Sequence, residues 1–308
     1  MDKRAARTRI AVGVAAALAL GEVAMVDPRQ LEVTGRVRSA DGVEIAYADQ
    51  GRAAPAIVFI HGGLADRSFW APQFAALAGE YRLVAPDLAG HGASGSNRTA
   101  WTIGAWAADV RAVADALDLR RIVLVGNSLG GAVALEAAAL LPGRAIGVIG
   151  VDTLHDGTQR IPDEFIRARG KAFRDDFAGT CHAMVEALFH PGTYPELRAW
   201  AEQRMCAGSA EVAAGMWDGL VGYDLAASFR KAGVPIRAIN GDLWPTRVEA
   251  NRVVAQDFDA VVMKGAGHYA MLERPAEFNR LLVTCVATFV RGAPKVAAPR
   301  STPDARER

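Results

Sequence analysis

Ile122-Val-Leu-Val-Gly126-Asn127-Ser128-Leu129-Gly130-Gly131 is the stretch on which the fold turns. Four apolar residues run directly into a G-x-S-x-G pentapeptide, and an Ala- and Leu-rich segment follows without interruption to Leu141. A buried strand that turns at once into a helix crowds its backbone, and the glycines on either side of the serine leave room for that. The turn lifts the serine hydroxyl above the sheet, at a helix N-terminus where developing negative charge is favoured. A serine in an ordinary glycine-rich surface turn needs neither the strand before it nor the helix after it.

Working outward, the apolar period alternates between strand and helix types. Residues 31–38 and 43–48 alternate and meet at Asp41-Gly42, a hairpin signal. Residues 56–60 form a continuous apolar run, as a parallel strand covered on both faces should. Residues 82–85, 122–125, 146–151, 236–239 and 260–263 read as further buried strands. Helical patterns cover 69–78, 103–117, 129–141, 246–255 and 275–290. The fold class predicted is α/β, a mostly parallel central sheet with helices on both faces. From His155 to Lys231 no buried strand occurs, and the pattern is helical with breaks at Pro162, Gly170, Pro191 and Pro195. Residues 155–231 are therefore expected to be a helical cap inserted into a core of 27–154 and 232–291.

The two ends read differently. Lys3, Arg4, Arg7 and Arg9 precede the uncharged, mostly apolar residues 10–20, with Ala17-Leu18-Ala19 resembling a cleavage site. Residues 1–26 are expected to be a signal peptide or an N-terminal anchor. The apolar run is short for a span, so no stable membrane span is expected after processing. Cleavage implies a periplasmic or secreted protein; retention implies a membrane-associated or cytoplasmic one. Residues 292–308, rich in Pro, Ala and charge, are expected to be a disordered tail.

A chain of 308 residues with 51% hydrophobic content can build a large core. The formal net charge of +1 gives no reason to expect nucleic acid, and an uncharged small organic substrate fits the balance. No C-x-x-C pair occurs among the three cysteines, so neither zinc nor redox chemistry is indicated, and no metal or cofactor is expected. Cys181 and Cys206 could pair after export or remain buried thiols.

Three further segments carry chemistry. His61-Gly62-Gly63 follows the strand 56–60, where a loop can present a backbone N–H to an oxyanion. Gly63 and Leu129 are the expected donors, with Leu64 as the alternative to Gly63. Each such donor contributes on the order of 3 kcal/mol in the transition state. His268 ends Gly265-Ala266-Gly267-His268 after the last strand and is the expected general base, with His155 as its only rival. Asp152 and Asp242 both lie at strand ends and compete as the acid that orients the imidazole.

With these segments in place, residues 32–291 resemble the α/β-hydrolase superfamily. Asp87-Leu88-Ala89-Gly90-His91-Gly92-Ala93-Ser94 resembles its D-x-x-G-x-G-x-S loop, and Gly267-His268 with Glu273-Arg274-Pro275 and Phe278 resembles its histidine loop and last helix. One departure stands out: Trp244 sits where the family commonly carries its acid. A minority of the family places the acid after the preceding core strand, which implies Asp152 ahead of Asp242. The resemblance also implies that the cap forms much of the substrate pocket. Trp70, Trp217 and Trp244 are the candidate apolar walls, and Phe69 reads as core. The activity implied is serine hydrolysis of a carboxylic ester or lactone of small to medium apolar character, through an acyl-enzyme. Carbon–carbon bond hydrolysis and cofactor-free haloperoxidation use similar residues, and a ligand-binding sensor on the same fold is the reading of a different class. Serine at the elbow argues against epoxide hydrolases and dehalogenases, which carry Asp there.

Overall fold

Ile57 and Phe59 point to one face of the central sheet, Val58 and Ile60 to the other, and all four are buried. Side chains alternate along a strand, so a strand covered on both faces must be apolar at every position. The computed structural model describes residues 31–292. The signal or anchor reading of 1–26 and the tail reading beyond 292 lie outside the described residues.

The chain opens with β1 (Gly35–Arg38), β2 (Glu44–Gln50) and β3 (Ala56–Ile60), followed by α1 (Ala71–Leu77) and β4 (Arg82–Pro86). Next come α2 (Ile103–Ala116), β5 (Ile122–Asn127), α3 (Leu129–Leu140) and β6 (Ala145–Val151). Four helices then intervene: α4 (Asp163–Asp175), α5 (Phe177–Leu188), α6 (Pro195–Met205) and α7 (Ala210–Asp218). The chain closes with α8 (Leu225–Ala232), β7 (Ile236–Asn240), α9 (Val248–Val254), β8 (Asp259–Val262), α10 (Ala270–Glu273) and α11 (Pro275–Gly292). The sheet order is β1-β2-β4-β3-β5-β6-β7-β8. β1–β2 and β2–β4 pair antiparallel; every other neighbouring pair is parallel. Residues of α1, α10 and α11, such as Phe74, Met271 and Phe278, share the core of one face. Trp106 of α2, Val133 of α3 and Phe229 of α8 share the core of the other.

The structure departs from the sequence expectations at several places. Residues 31–34 precede rather than join β1. The segment 260–263 reads as a buried strand, yet β8 pairs only with β7, and Val261 and Val262 are 40% and 45% exposed. An edge strand lacks the second neighbour that would cover it. The helix expected over 69–78 is divided, with a tight turn at Arg67–Trp70 capped by the Asp66 side chain before α1 begins. Gly170 does not break α4 but lies inside it. A Cβ there would stand 2.7 Å from Asp218 Oδ1 of α7, so glycine lets the two helices approach. α8, read in the sequence as part of the insertion, packs on α3: Ser228 donates to Glu136, and Phe229 joins the core under the sheet.

Cys181 of α5 and Cys206, just past α6, form a disulfide with their Cα atoms 5.8 Å apart, which settles the choice the sequence left open. Cys285 is a buried free thiol. Among the described residues no helix is long and apolar enough to cross a membrane.

Candidate active site

β5 passes into α3 with a single residue between them, Ser128, at φ 53 and ψ −121. A non-glycine residue with positive φ costs on the order of 1–3 kcal/mol and persists only where its surroundings enforce it. The surroundings here are backbone. A Cβ on Gly126 would meet Gly130 O at 2.0 Å, and one on Gly130 would meet Ile60 O at 2.4 Å. Glycine at both positions is what lets the strand-to-helix turn press against β3. A Cβ on Gly131 would instead meet a side chain, the Thr153 methyl, at 2.3 Å. Of five non-glycine residues with positive φ among the described residues, Leu64, Ser128, Asp152 and Leu154 all follow the carboxyl ends of β3, β5 or β6. Strain is thus concentrated along one edge of the sheet.

His268 reaches that edge from the loop after β8. Its Nδ1 lies 2.6 Å from Asp152 Oδ2, while Asp152 Oδ1 accepts the Gly241 N–H at 2.9 Å. Both Asp152 oxygens are thereby engaged in a side chain with no exposed surface. With Nδ1 as the donor to the Asp152 carboxylate, Nε2 is the ring nitrogen left to accept a proton. Ser128 and His268 line one cavity, and the Ser128 hydroxyl forms no hydrogen bond with a described residue. Such contacts commonly tighten only once substrate binds.

Asp242 does not reach the imidazole. Its carboxylate turns the other way and accepts the Gly265 N–H at 2.9 Å, and the side chain is exposed. His155, the rival base, places Nε2 3.8 Å from Asp152 Oδ1 and Nδ1 3.3 Å from Thr246 Oγ1. Burial lowers its pKa against the raising pull of Asp152. It stands behind the carboxylate and does not line the cavity.

Gly63 and Leu129 both line the cavity beside Ser128, whereas Leu64 borders a separate groove. Leu129 is the first residue of α3, so its N–H has no partner within the helix. A Cβ on Gly62 would lie 3.1 Å from Ser128 Cβ, which shows how closely this loop abuts the serine. His61 holds the loop down, with Nδ1 2.7 Å from Gly62 O and Nε2 accepting the Leu88 N–H at 2.9 Å. Its burial lowers the imidazole pKa to about 4. His91 packs against it, and burial lowers its pKa to about 3.

The cavity encloses about 510 Å³ between the sheet edge and the insertion. Trp217 lines it. Trp70 does not: fully buried and stacked on Phe59 with ring centres 4.9 Å apart, it fills the core on the sheet face covered by α1 and α11. Its position at the end of the Arg67–Trp70 turn aims it inward. Trp244 also lies outside the cavity lining; its ring stands edge-on to His268, 5.6 Å between centres, and is 38% exposed. It buttresses the imidazole rather than forming a wall. Phe69 packs between Trp200 and Tyr269 as core.

Two positioning residues escaped the sequence reading of roles. Asn127 Nδ2 donates to Val151 O at 2.9 Å and to His268 O at 3.0 Å, tying the elbow to β6 and to the histidine loop. A polar residue ending a wholly apolar strand was the available signal. Glu273 accepts the N–H groups of Gly267 and Tyr269, shaping the loop that carries His268. The insertion contributes too, since Leu188 O of α5 accepts the His268 N–H at 2.8 Å. Among the described residues no group of three His, Cys, Asp or Glu side chains gathers to hold a metal.

Residues 57–281 match the model of the family described as the alpha/beta hydrolase family. An uncharacterized protein of Mycobacterium tuberculosis is 37% identical over 109 residues, 35% of this chain and 32% of that one. The match thus spans about a third of that relative's length. The bifunctional esterase/perhydrolase of Acinetobacter calcoaceticus is 29% identical over 232 residues, 68% of this chain and 81% of that protein. Among solved structures, a thermophilic esterase from Thermogutta terrifontis superposes with a TM-score of 0.73 at 25% identity, covering 83% of this chain and 98% of that one. The strained serine, the sheet order and these similarities agree: the chain belongs to the alpha/beta hydrolase family.

Proposed function

We propose that the protein cleaves a carboxylic ester or lactone through an acyl-enzyme on Ser128. The observation that carries this reading is the Asp152–His268 pair at 2.6 Å, opening onto the same cavity as the strained Ser128. Ser128 Oγ attacks the carbonyl carbon as its proton passes to His268 Nε2. Asp152 keeps the proton on Nδ1 and stabilises the imidazolium that forms. The Gly63 and Leu129 N–H groups receive the oxyanion. The tetrahedral intermediate collapses, the C–O bond to the alcohol breaks, and His268 returns the proton to the departing oxygen. Water then repeats the sequence on the acyl group, releasing a carboxylic acid and restoring Ser128.

The test is steady turnover of 4-nitrophenyl esters together with fluorophosphonate labelling. Ser128→Ala should abolish labelling, keep the circular dichroism spectrum and lower turnover by on the order of 10⁶. A single burst without turnover in the wild type would mark a ligand sensor instead. The Cys181–Cys206 disulfide supports an oxidising location, consistent with export.

A further inference from the structure

We propose that the acyl half of the substrate ends in a carboxylate and that Arg169 binds that end. This rests on the ester-hydrolase reading above. The cavity wall is mostly apolar, yet it includes the side chains of Arg160 and Arg169 and no Asp or Glu. Net charge suggested an uncharged substrate, but a substrate meets the local field of the cavity rather than the sum over the chain.

The two arginines differ. Arg160 is exposed and has Asp163 at 3.4 Å. Arg169 is half-buried and forms neither a hydrogen bond nor a salt bridge with any described residue. Arg174, on the same helix, is paired with Asp218. Two aromatic rings hold Arg169 instead: its guanidinium carbon lies 5.4 Å from the Trp217 ring centre and 5.9 Å from that of Phe173. Stacking engages the faces of a guanidinium and leaves the N–H edge free, in the fork geometry that matches a carboxylate. α4 carries Arg169 one turn beyond Phe165 and Ile166, and all three line the cavity. Apolar walls weaken screening, so the attraction exceeds that of a surface arginine.

The acyl half is the half to assign here. It stays bound through both chemical steps while the alcohol leaves after the first. An apolar pocket with a charged anchor suits the part that is retained.

The experiment uses 4-nitrophenyl hemiesters of linear diacids with four, six and eight carbons. Each is paired with its methyl ester, and every kcat/KM is divided by the hydroxide-catalysed rate. The wild type is expected to prefer the free acid by at least about tenfold at the chain length that spans Ser128 to Arg169. Arg169→Met should cut that preference by about tenfold or more, and Arg169→Lys should retain most of it. Because the preference is a ratio within one enzyme, a partly inactive variant still reports it. Arg160→Gln should keep the preference. Absence of a preference at every length, an unchanged preference in Arg169→Met, or its loss in Arg160→Gln alone would each overturn the assignment. Turnover of the methyl esters with none of the acids would overturn the anionic subsite and leave the hydrolase reading standing. Failure on every ester would overturn both.

Discussion

The sheet edge and the helical insertion face each other across one cavity, but they are built in opposite ways. At the sheet edge, backbone meets backbone: Gly126 against Gly130 O, Gly130 against Ile60 O, Ser128 and Asp152 both at positive φ. In the insertion, side chains do the holding: a disulfide between α5 and the end of α6, Arg169 over Trp217, Phe165 edge-on to Trp217. Backbone crowding admits almost no substitution, because a Cβ has nowhere to go. Side-chain contacts can be exchanged for others of similar volume. The proposed function assigns chemistry to the first region and the choice of substrate to the second. The two are joined at Leu188 O, which accepts the His268 N–H.

The sharpest way to break this contrast is at the acid. Asp152→Asn replaces an acceptor that holds the imidazole tautomer, and should lower kcat by about 10⁴ with folding retained. Asp242→Asn should change kcat little, since its carboxylate serves only the Gly265 turn. Reversed sizes for the two mutants would detach the proposed chemistry from the end of β6.

The two tryptophans separate stability from recognition. Trp70→Ala removes a fully buried ring and should cost about 3–5 kcal/mol in denaturant unfolding. Trp217→Ala should cost less stability and act mainly on KM, because it lines the cavity. Equal losses of stability would erase the distinction between core and wall. Within the insertion, the disulfide closes a separation of 25 residues. Replacing both cysteines by serine should remove about 3.5 kcal/mol by the chain-entropy relation. Hydrogen exchange in α5 and α6 should rise before that of β5, and protection that falls uniformly would show that the insertion does not open separately.

The smallest effect expected is one of pH. His61 is buried neutral beside the Gly62-Gly63 loop, its pKa lowered to about 4 from 6.5. As pH falls below 6.5 the unfolded chain takes up a proton that the folded one refuses. Stability present above pH 6.5 is therefore lost progressively toward pH 4, by about 3 kcal/mol from this residue. Urea unfolding at pH 7, 5 and 4 measures the slope, and His61→Gln should flatten it. An identical slope in that variant would reject the assignment. His91, lowered for the same reason, adds to the trend.

Much of this was written in local pattern. A strand covered on both faces must be continuously apolar, so 56–60 and 122–125 announced a parallel sheet. A serine between glycines, at a strand end and a helix start, announced the elbow. These features depend on neighbours within a few residues, and sequence carries such information directly. The edge position of β8 was not legible, because an apolar run looks alike whether one strand or two lie beside it. The orientation of Asp242 was not legible either: a turn residue and an acid two positions from the expected place differ only in where the chain points them. Trp70 and Trp217 illustrate the same limit, as both are apolar and both follow helical patterns, yet one faces the sheet core and the other the cavity. Sequence by itself determined the fold class, the strained serine and the histidine after the last strand. Only the tertiary structure decided which carboxylate meets that histidine and which cysteines pair, because each depends on segments 25 to 116 residues apart being brought within a few ångströms.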